Sequence, residues 1–339
     1  MALWRRVIVP GSMASRTASN SQNHMKKSDQ TTKPISRRRF LKSTVTAACL
    51  TSAAGGLAAF CQSTESSPKV KSPATPGGNK SNDTYETHAK GIRIRPGHWR
   101  PHYPWEQIAW VSPAWPSQDY LWLDFPEAIF TSQGLLYLSH VNPGIDSVFP
   151  DSPRVPWREV PNGIAFERQL PNDVSFGGSV TNQNNTQVEL ELHLKNGSAA
   201  PLRNIELQTC AYLRGIKEFA DYTRDNKFVH VPETGWVTLN QARELPAGTS
   251  PYRVGWRSKG KAVADWPVMV TRSNLAERWV GVSWHKATLS LIGNPNHPCM
   301  HADPKFKDLE PGEAAAIHGT LFFFEGSLAN FDFEKVITG

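Results

Sequence analysis

Residues 188–196 read VELELHLKN, an unbroken alternation of apolar and polar side chains. In an extended chain Val188, Leu190, Leu192 and Leu194 face one way, and Glu189, Glu191 and His193 the other. A period of two in such bulky residues means a strand with one buried face and one wet face, and a lone strand cannot bury anything without neighbours. The neighbours are supplied by GLLYLSHV (134–141), GIAFERQL (163–170), IELQTCAYL (205–213), RWVGVSW (278–284), ATLSLIG (287–293) and AAIHGTLFFFEG (315–326). Turn residues bound most of these runs, and helical periodicity is scarce. One short helix is expected within GIKEFADYTRDN (215–226), with Ile216, Phe219 and Ala220 on one side. Many short strands at close spacing predict an all-β fold, a β-sandwich. The stretch 95–130 is so dense in Pro, Trp and His that an irregular segment, packing aromatics across the sandwich, is expected there.

The sandwich occupies only part of the chain. Fourteen of the 37 Lys and Arg residues, but four of the 30 acidic ones, fall before Gly91. That leader carries +10 of charge and leaves −3 on residues 91–339, against a net +7. The basic balance therefore belongs to the leader, and the body has no basic stripe of the kind that tracks a phosphate backbone, so no nucleic-acid partner is expected. Residues 62–90 hold Ser, Pro, Gly, Lys and Thr with almost no large apolar side chain, and are expected to be a disordered tether. Residues 91–339 are expected to form one β-sandwich domain.

Within residues 1–61, Ser36, Arg37, Arg38, Phe40, Leu41 and Lys42 match the twin-arginine motif S-R-R-x-F-L-K. A mild apolar stretch from Thr44 to Phe60 follows, too rich in small and polar residues for a lasting membrane span. This is the layout of an export signal with a long N-terminal region, in which Met13 and Met25 offer later starts. Its partner is the twin-arginine translocase, and its destination the periplasm, the cell envelope or the medium. Phe60 before Cys61 is a poor lipidation context, so a cut near Ala58 or Ala59 stands beside a lipid anchor as the alternative. Membrane association is expected only through the leader or such an anchor.

Two segments carry a resemblance. LQTCAYLRGIKEFADYTRDNKFVHVPETGW (207–236) and NPNHPCMHADPKFKDLEPGEAAAIHGTLFFFEG (294–326) share Q-x-C, N-K-F-V-H and C-x-H-x-D-P…PGE patterns with a family of exported bacterial proteins of unassigned function. The all-β texture and the ending LEPGEAAAIHGTLFF also resemble the galactose-mutarotase-like β-supersandwich of sugar epimerases and polysaccharide-degrading enzymes. That second resemblance implies carbohydrate as the substrate class. The epimerases' catalytic His and Glu motifs have no convincing match in this chain.

The chemistry-bearing residues divide into three groups. Pro295, Pro298 and Pro304 disfavour a helix over NPNHPCMHADP (294–304). If it is extended, His297, Cys299, His301 and Asp303 point the same way, and His297, His301 and Asp303 form a donor set for Zn, Cu or Fe, with His285, His230 or His318 as a further ligand. A Cys210–Cys299 disulfide, favoured by an oxidising compartment, two buried thiols and a purely structural loop stand beside that reading. Second, Tyr212, Arg214, His230 and His285 are the candidate catalytic set. Arg214 would neutralise a uronic carboxylate, and Tyr212 or a histidine would move the proton. Asp119, Asp124, Glu127 and Glu325 are the carboxylates from which a hydrolytic pair would come. Third, eleven of the twelve tryptophans follow residue 91, and Trp99 and Trp105, with Arg214, are candidate sugar-binding side chains. No G-x-S-x-G elbow, P-loop or C-x-x-C pair is present, which removes those mechanisms. The expectation is an exported protein that processes carbohydrate by lyase-, epimerase- or hydrolase-like chemistry, or binds it. A non-catalytic envelope protein and a small metalloprotein centred on HPCMHAD are the alternatives. The sequence does not decide between enzyme and binder.

Overall fold

The computed structural model describes residues 91–100, 105–140 and 153–338. The export signal expected over 1–61, Cys61 and the tether expected over 62–90 lie outside the described residues. The expected all-β sandwich is what the described chain forms. One nine-stranded sheet runs β1 (Ile94–Gly97), β2 (Ile108–Val111), β3 (Leu121–Thr131), β9 (Glu206–Tyr212), β17 (Cys299–Pro304), β16 (Thr288–Gly293), β12 (Tyr252–Val254) and β13 (Lys261–Ala264), with β4 (Gly134–Leu138) also paired to β3. The other nine-stranded sheet runs β11 (Gly235–Thr238), β10 (Lys227–Val231), β14 (Val268–Arg272), β15 (Arg278–Ser283), β18 (Ala314–Glu325), β8 (Gln187–Asn196), β7 (Val174–Asn182), β6 (Gly163–Gln169) and β5 (Arg158–Val160). Pairing is antiparallel throughout except between β12 and β16. No helix among the described residues is long and apolar enough to cross a membrane.

The core lies between the sheets and follows the alternation of each strand. Val188, Leu190, Leu192 and Leu194 of β8 are all buried, as their spacing requires. They meet Leu121, Leu123 and Phe125 of β3, Leu207 and Ala211 of β9, and Met300 and Ala302 of β17 in one cluster. Each such large side chain stabilises the fold by about 1.5–3 kcal/mol when fully buried. Aromatic contacts stitch the layers: Phe125 stacks on Trp284 at 5.9 Å, and Trp115 meets Phe323 edge-on at 5.6 Å. Trp284 is fully buried, and its indole N–H donates to Thr209 Oγ1 at 3.1 Å, so its one polar atom is satisfied. On the far side of the second sheet, the C-terminal residues Phe331, Phe333 and Val336 cover Val268, Val270 and Phe322.

Two sequence expectations change. Residues 95–130 are only partly irregular: β1, β2 and most of β3 run through them, with stretches outside any strand between. Two of the prolines sit where a missing donor costs little. Pro96 lies in the edge strand β1, and Pro126 falls in the break of register between Asp124 and Ala128. The helix expected in 215–226 shrinks to one 3₁₀ turn, Lys217–Phe219. Ile216 and Phe219 are buried as the spacing implied, but this segment carries the chain from β9 in one sheet to β10 in the other.

Two close approaches generate predictions. Gly281 of β15 pairs with Phe322 of β18, and a Cβ there would sit 2.0 Å from the buried Phe322 ring. Gly281→Ala is expected to destabilise the fold by roughly 1–3 kcal/mol, read from urea melts. Lys227 is fully buried, its ammonium donating to the Thr223 carbonyl at 2.6 Å and Asn226 Oδ1 at 3.0 Å. Burial pushes this ammonium down to about 8. Between that value and the ordinary lysine pKa of about 10.4, the unfolded chain holds a proton that the folded chain has shed, so folding gains from rising pH. The stability of the wild type relative to Lys227→Met is therefore expected to grow between pH 7.5 and 10 in paired denaturant melts.

Candidate functional site

Strands β3, β9 and β17 lie side by side in the middle of the first sheet, and their register decides what gathers on the face turned away from the core. Trp122 pairs with Tyr212, Asp124 with Cys210, and Cys299 with Tyr212. Continuing the β9–β17 register by one step past Met300–Ala211 sets His301 opposite Cys210. Alternation then places Trp122, Asp124, Cys210, Tyr212, Cys299, His301 and Asp303 on one face. Glu127 joins them from the break in β3 beside Pro126. Asp124, Asp303, Cys210, Cys299 and His301 are all buried although they are outside the inter-sheet core.

The segment before β2 covers part of this floor. Glu106 accepts from the backbone N–H of Trp99 at 2.5 Å and of Arg100 at 2.8 Å, and from Arg100 Nε at 3.0 Å. Arg100 Nη2 then donates to Asp124 Oδ2 at 2.7 Å, an oxygen that also accepts from Ser139 Oγ at 2.7 Å. The same guanidinium lies 4.2 Å from the Trp99 ring, and Trp99 stacks on Tyr212 at 4.3 Å, with Trp122 at 5.5 Å from Tyr212. A buried charge chain and an aromatic stack are thus held by one short segment.

Next to the chain, Glu127 lies between two imidazoles. His140 Nε2 is 3.8 Å from Glu127 Oε1, and His301 Nδ1 is 3.9 Å from Glu127 Oε2. His301 Nδ1 is also 3.5 Å from Asp303 Oδ1, which accepts the Thr209 N–H at 3.1 Å. Among the described residues, Glu127 Oε2, Asp124 Oδ1, Asp303 Oδ2 and His301 Nδ1 are buried without a hydrogen-bond partner. Buried polar atoms left in this way mark a strain reservoir or the place of a ligand. Burial pushes the Glu127 carboxyl up to about 8 against the pull of His301. Burial likewise raises Asp124 to about 6, against Arg100 and Ser139. Burial, then the Arg100 charge, lower His140 to about 4. At neutral pH, Glu127 keeps its proton and His140 has none, which pairs a donor acid with an acceptor base.

The two thiols are neighbours and free. Their proximity separates them: Cys299 and burial raise Cys210 well above the ordinary thiol, while Cys210, with help from His301, lowers Cys299 well below it. Burial works against charge on His301, yet Cys299 and Asp303 hold it well above an ordinary imidazole. Among the described residues, two sets of side chains are close enough to hold a metal ion, Cys210 with Cys299 and His301, and Asp124 with Glu127 and His140.

The sequence candidates fall on both sides of this picture. Tyr212, Trp99, His301 and Asp303 belong to the floor or its cover. His297 sits in the turn before β17, edge-on to the Tyr212 ring at 6.3 Å. Arg214 lies at the exposed rim, donating to Tyr222. Trp105 is structural: its indole N–H donates to the Leu138 carbonyl at 3.1 Å, and its own carbonyl accepts from Tyr137 and Arg168. His230 and His285 are not brought to Tyr212, because the chain has crossed to the second sheet. His230, on β10, stacks on Trp266 at 4.1 Å and pairs with Asp265 at 2.7 Å. His285, just after β15, meets Thr320 Oγ1 at 3.1 Å. Of the four carboxylates, Asp124 and Glu127 are in the site, while Asp119 caps the Lys217 N–H and Glu325 pairs with Arg278 at the surface. Arg100, Glu106, Ser139 and His140 went unread in the sequence. Only the clustering of polar residues inside an aromatic-rich stretch hinted at Arg100 and Glu106.

No family model and no curated protein sequence matches the chain. Among solved structures, it is similar to a GalM/aldose epimerase homologue from C. elegans, at 10% identity and a TM-score of 0.32, over 70% of this chain and 100% of that one. It is similar to the Slr1438 protein of Synechocystis sp. PCC 6803, at 10% identity and a TM-score of 0.36, over 71% and 98%. It is also similar to galactose 1-epimerase from Lactobacillus acidophilus NCFM, at 9% identity and a TM-score of 0.30, over 70% and 100%.

The Arg100 chain can be tested directly. Removing one partner of a buried ion pair strands the other, at a cost of about 3–5 kcal/mol. Arg100→Met is expected to lose about that much at pH 7.5, and less at pH 5, where Asp124 is protonated and needs no cation. Denaturant melts at the two pH values check both the loss and its shrinkage.

Proposed function

We propose that the protein binds and chemically alters carbohydrate on the outer face of its first sheet, with Glu127 and His140 as the acid–base pair. The observation that carries this reading is the position of Glu127. Its carboxyl lies between two imidazoles, 3.8 and 3.9 Å away, and Oε2 has no hydrogen-bond partner among the described residues. The His140 and Glu127 side chains keep 23% and 13% of their surface open, so the pair is within reach of a substrate. Opening a hemiacetal, cleaving a glycosidic bond and eliminating from a uronate all need one group that takes a proton and another that delivers one. A neutral His140 takes the proton, and a protonated Glu127 delivers one to the departing or ring oxygen. Trp122, half-buried beside the Trp99–Tyr212 stack, is the aromatic surface offered to the C–H side of a sugar ring. The twin-arginine-like motif at residues 36–42 supports a location outside the cytoplasm for this activity, in the periplasm, the envelope or the medium.

A second reading, a non-catalytic carbohydrate binder, is favoured by one observation: Trp99, Trp122 and Tyr212 already stack on one another and form a rigid aromatic patch.

The test is a screen of mono- and polysaccharides for binding and turnover, followed by Glu127→Gln. Loss of a general acid lowers turnover by roughly 10²–10⁴-fold. The expected outcome is a fall in kcat of that order with binding retained. Binding without turnover in the wild type selects the second reading. Absence of both sinks the carbohydrate assignment.

A further inference from the structure

The acid–base reading leaves two thiols on the same floor without a task. Cys210 and Cys299 are on adjacent strands, both are buried, and both sit beside His301. Their two sulfurs and one ring nitrogen of His301 all lie within 4.8 Å of one another. In a tetrahedral site with Zn–S of about 2.3 Å and Zn–N of about 2.0–2.1 Å, ligand atoms are roughly 3.5–3.8 Å apart. Contraction by about an ångström would therefore close the set around an ion. His297 lies two residues before Cys299 in the turn that leads into β17, edge-on to the Tyr212 ring at 6.3 Å, and is the candidate fourth donor.

A second observation points to a ligand. His301 is 5% exposed, and its Nδ1 is turned toward Asp303 and Glu127 at 3.5 and 3.9 Å. Asp303 Oδ2 and Glu127 Oε2, close by, have no partner among the described residues. A ligating imidazole usually donates its other ring N–H to a carboxylate, which fixes the ring and its tautomer. With Nδ1 facing the carboxylates, Nε2 is the atom left for a metal. Inert packing of two thiols would need none of these groups, whereas two thiolates and two imidazoles suit a thiophilic ion.

We propose that Cys210, Cys299 and His301, completed by His297, bind a thiophilic d-block metal ion of which Zn²⁺ is the representative. Asp303 serves as the carboxylate behind His301 rather than as a ligand. Glu127 borders both sites, but the proposed ligands are the sulfur–imidazole cluster and the assay involves no sugar, so failure of the carbohydrate reading and failure of this one are distinguishable.

The experiment uses the full chain, reduced and stripped with a chelator, then titrated with Zn²⁺ and, as a coloured probe, Co²⁺. Expected are one equivalent of metal per chain, a thiolate-to-cobalt charge-transfer band, and protection of both thiols from alkylation when Zn²⁺ is present. Cys210→Ser, Cys299→Ser and His301→Ala should each lose the one-equivalent binding, and Asp303→Asn should keep the stoichiometry while weakening affinity by about 10–100-fold. Circular dichroism confirms that each variant is folded. The wild-type cobalt spectrum needs no variant: a reduced chain that takes up no metal, or binds cobalt without a thiolate band, overturns the proposal. So does metal binding that survives the double Cys210→Ser/Cys299→Ser variant.

Discussion

The register shared by β3, β9 and β17 is the constraint on which the rest of the site depends. Asp124 opposite Cys210, and Cys299 opposite Tyr212, place polar and sulfur-bearing side chains together on one face. Their sequence neighbours Leu123, Ala211, Met300 and Ala302 go to the core on the other. A slip by one residue would exchange these sets, burying Asp124 and His301 between the sheets and turning the apolar set outward. The hydrophobic core and the candidate site are therefore two readings of a single alignment. Neither can be altered without the other.

Around that alignment, charge is managed by pairing. Arg100 links Glu106 and Asp124, Ser139 supplies a second donor to Asp124, and the backbone of residues 99 and 100 satisfies Glu106. Such a chain does not have to add net stability, since desolvating ions is expensive. It does hold Trp99 over Tyr212 and the guanidinium over Trp99. Beside it, Glu127, His301 and Asp303 are less completely partnered. Asp124 stands at the boundary, with Oδ2 doubly bonded and Oδ1 without a partner among the described residues.

Much of the scaffold was legible in the sequence. All seven runs read as strands contain strands: β8 shows one-sided burial directly, while others, such as β9 and β15, are short apolar runs buried on both faces. The same-face placement of Cys299, His301 and Asp303 followed from prolines that disfavour a helix and leave an extended chain. What escaped was whatever depended on pairing across long separations. His230 lies 18 residues after Tyr212, but the crossing at 215–226 carries it to the other sheet, and His285 follows β15 of that same sheet. Arg100 and Glu106 were hidden in a proline-rich stretch whose strands β1 and β2 alternation could not reveal. Glu127 owes its position to the register break at Pro126, a feature of pairing rather than of composition.

That long-range pairing has a kinetic consequence. Thr209 and Asp303 meet across 94 residues of chain, and Asp124 meets Cys210 between strands that are themselves far apart in sequence. Contacts of such separation form only after the entropy of closing large loops has been overcome, and sheets built from them fold slowly. No fragment much shorter than residues 99–303 contains the floor and its cover. Its appearance reports that both the amino-terminal strands and β17 have found their places, so the site doubles as an internal marker of completed folding.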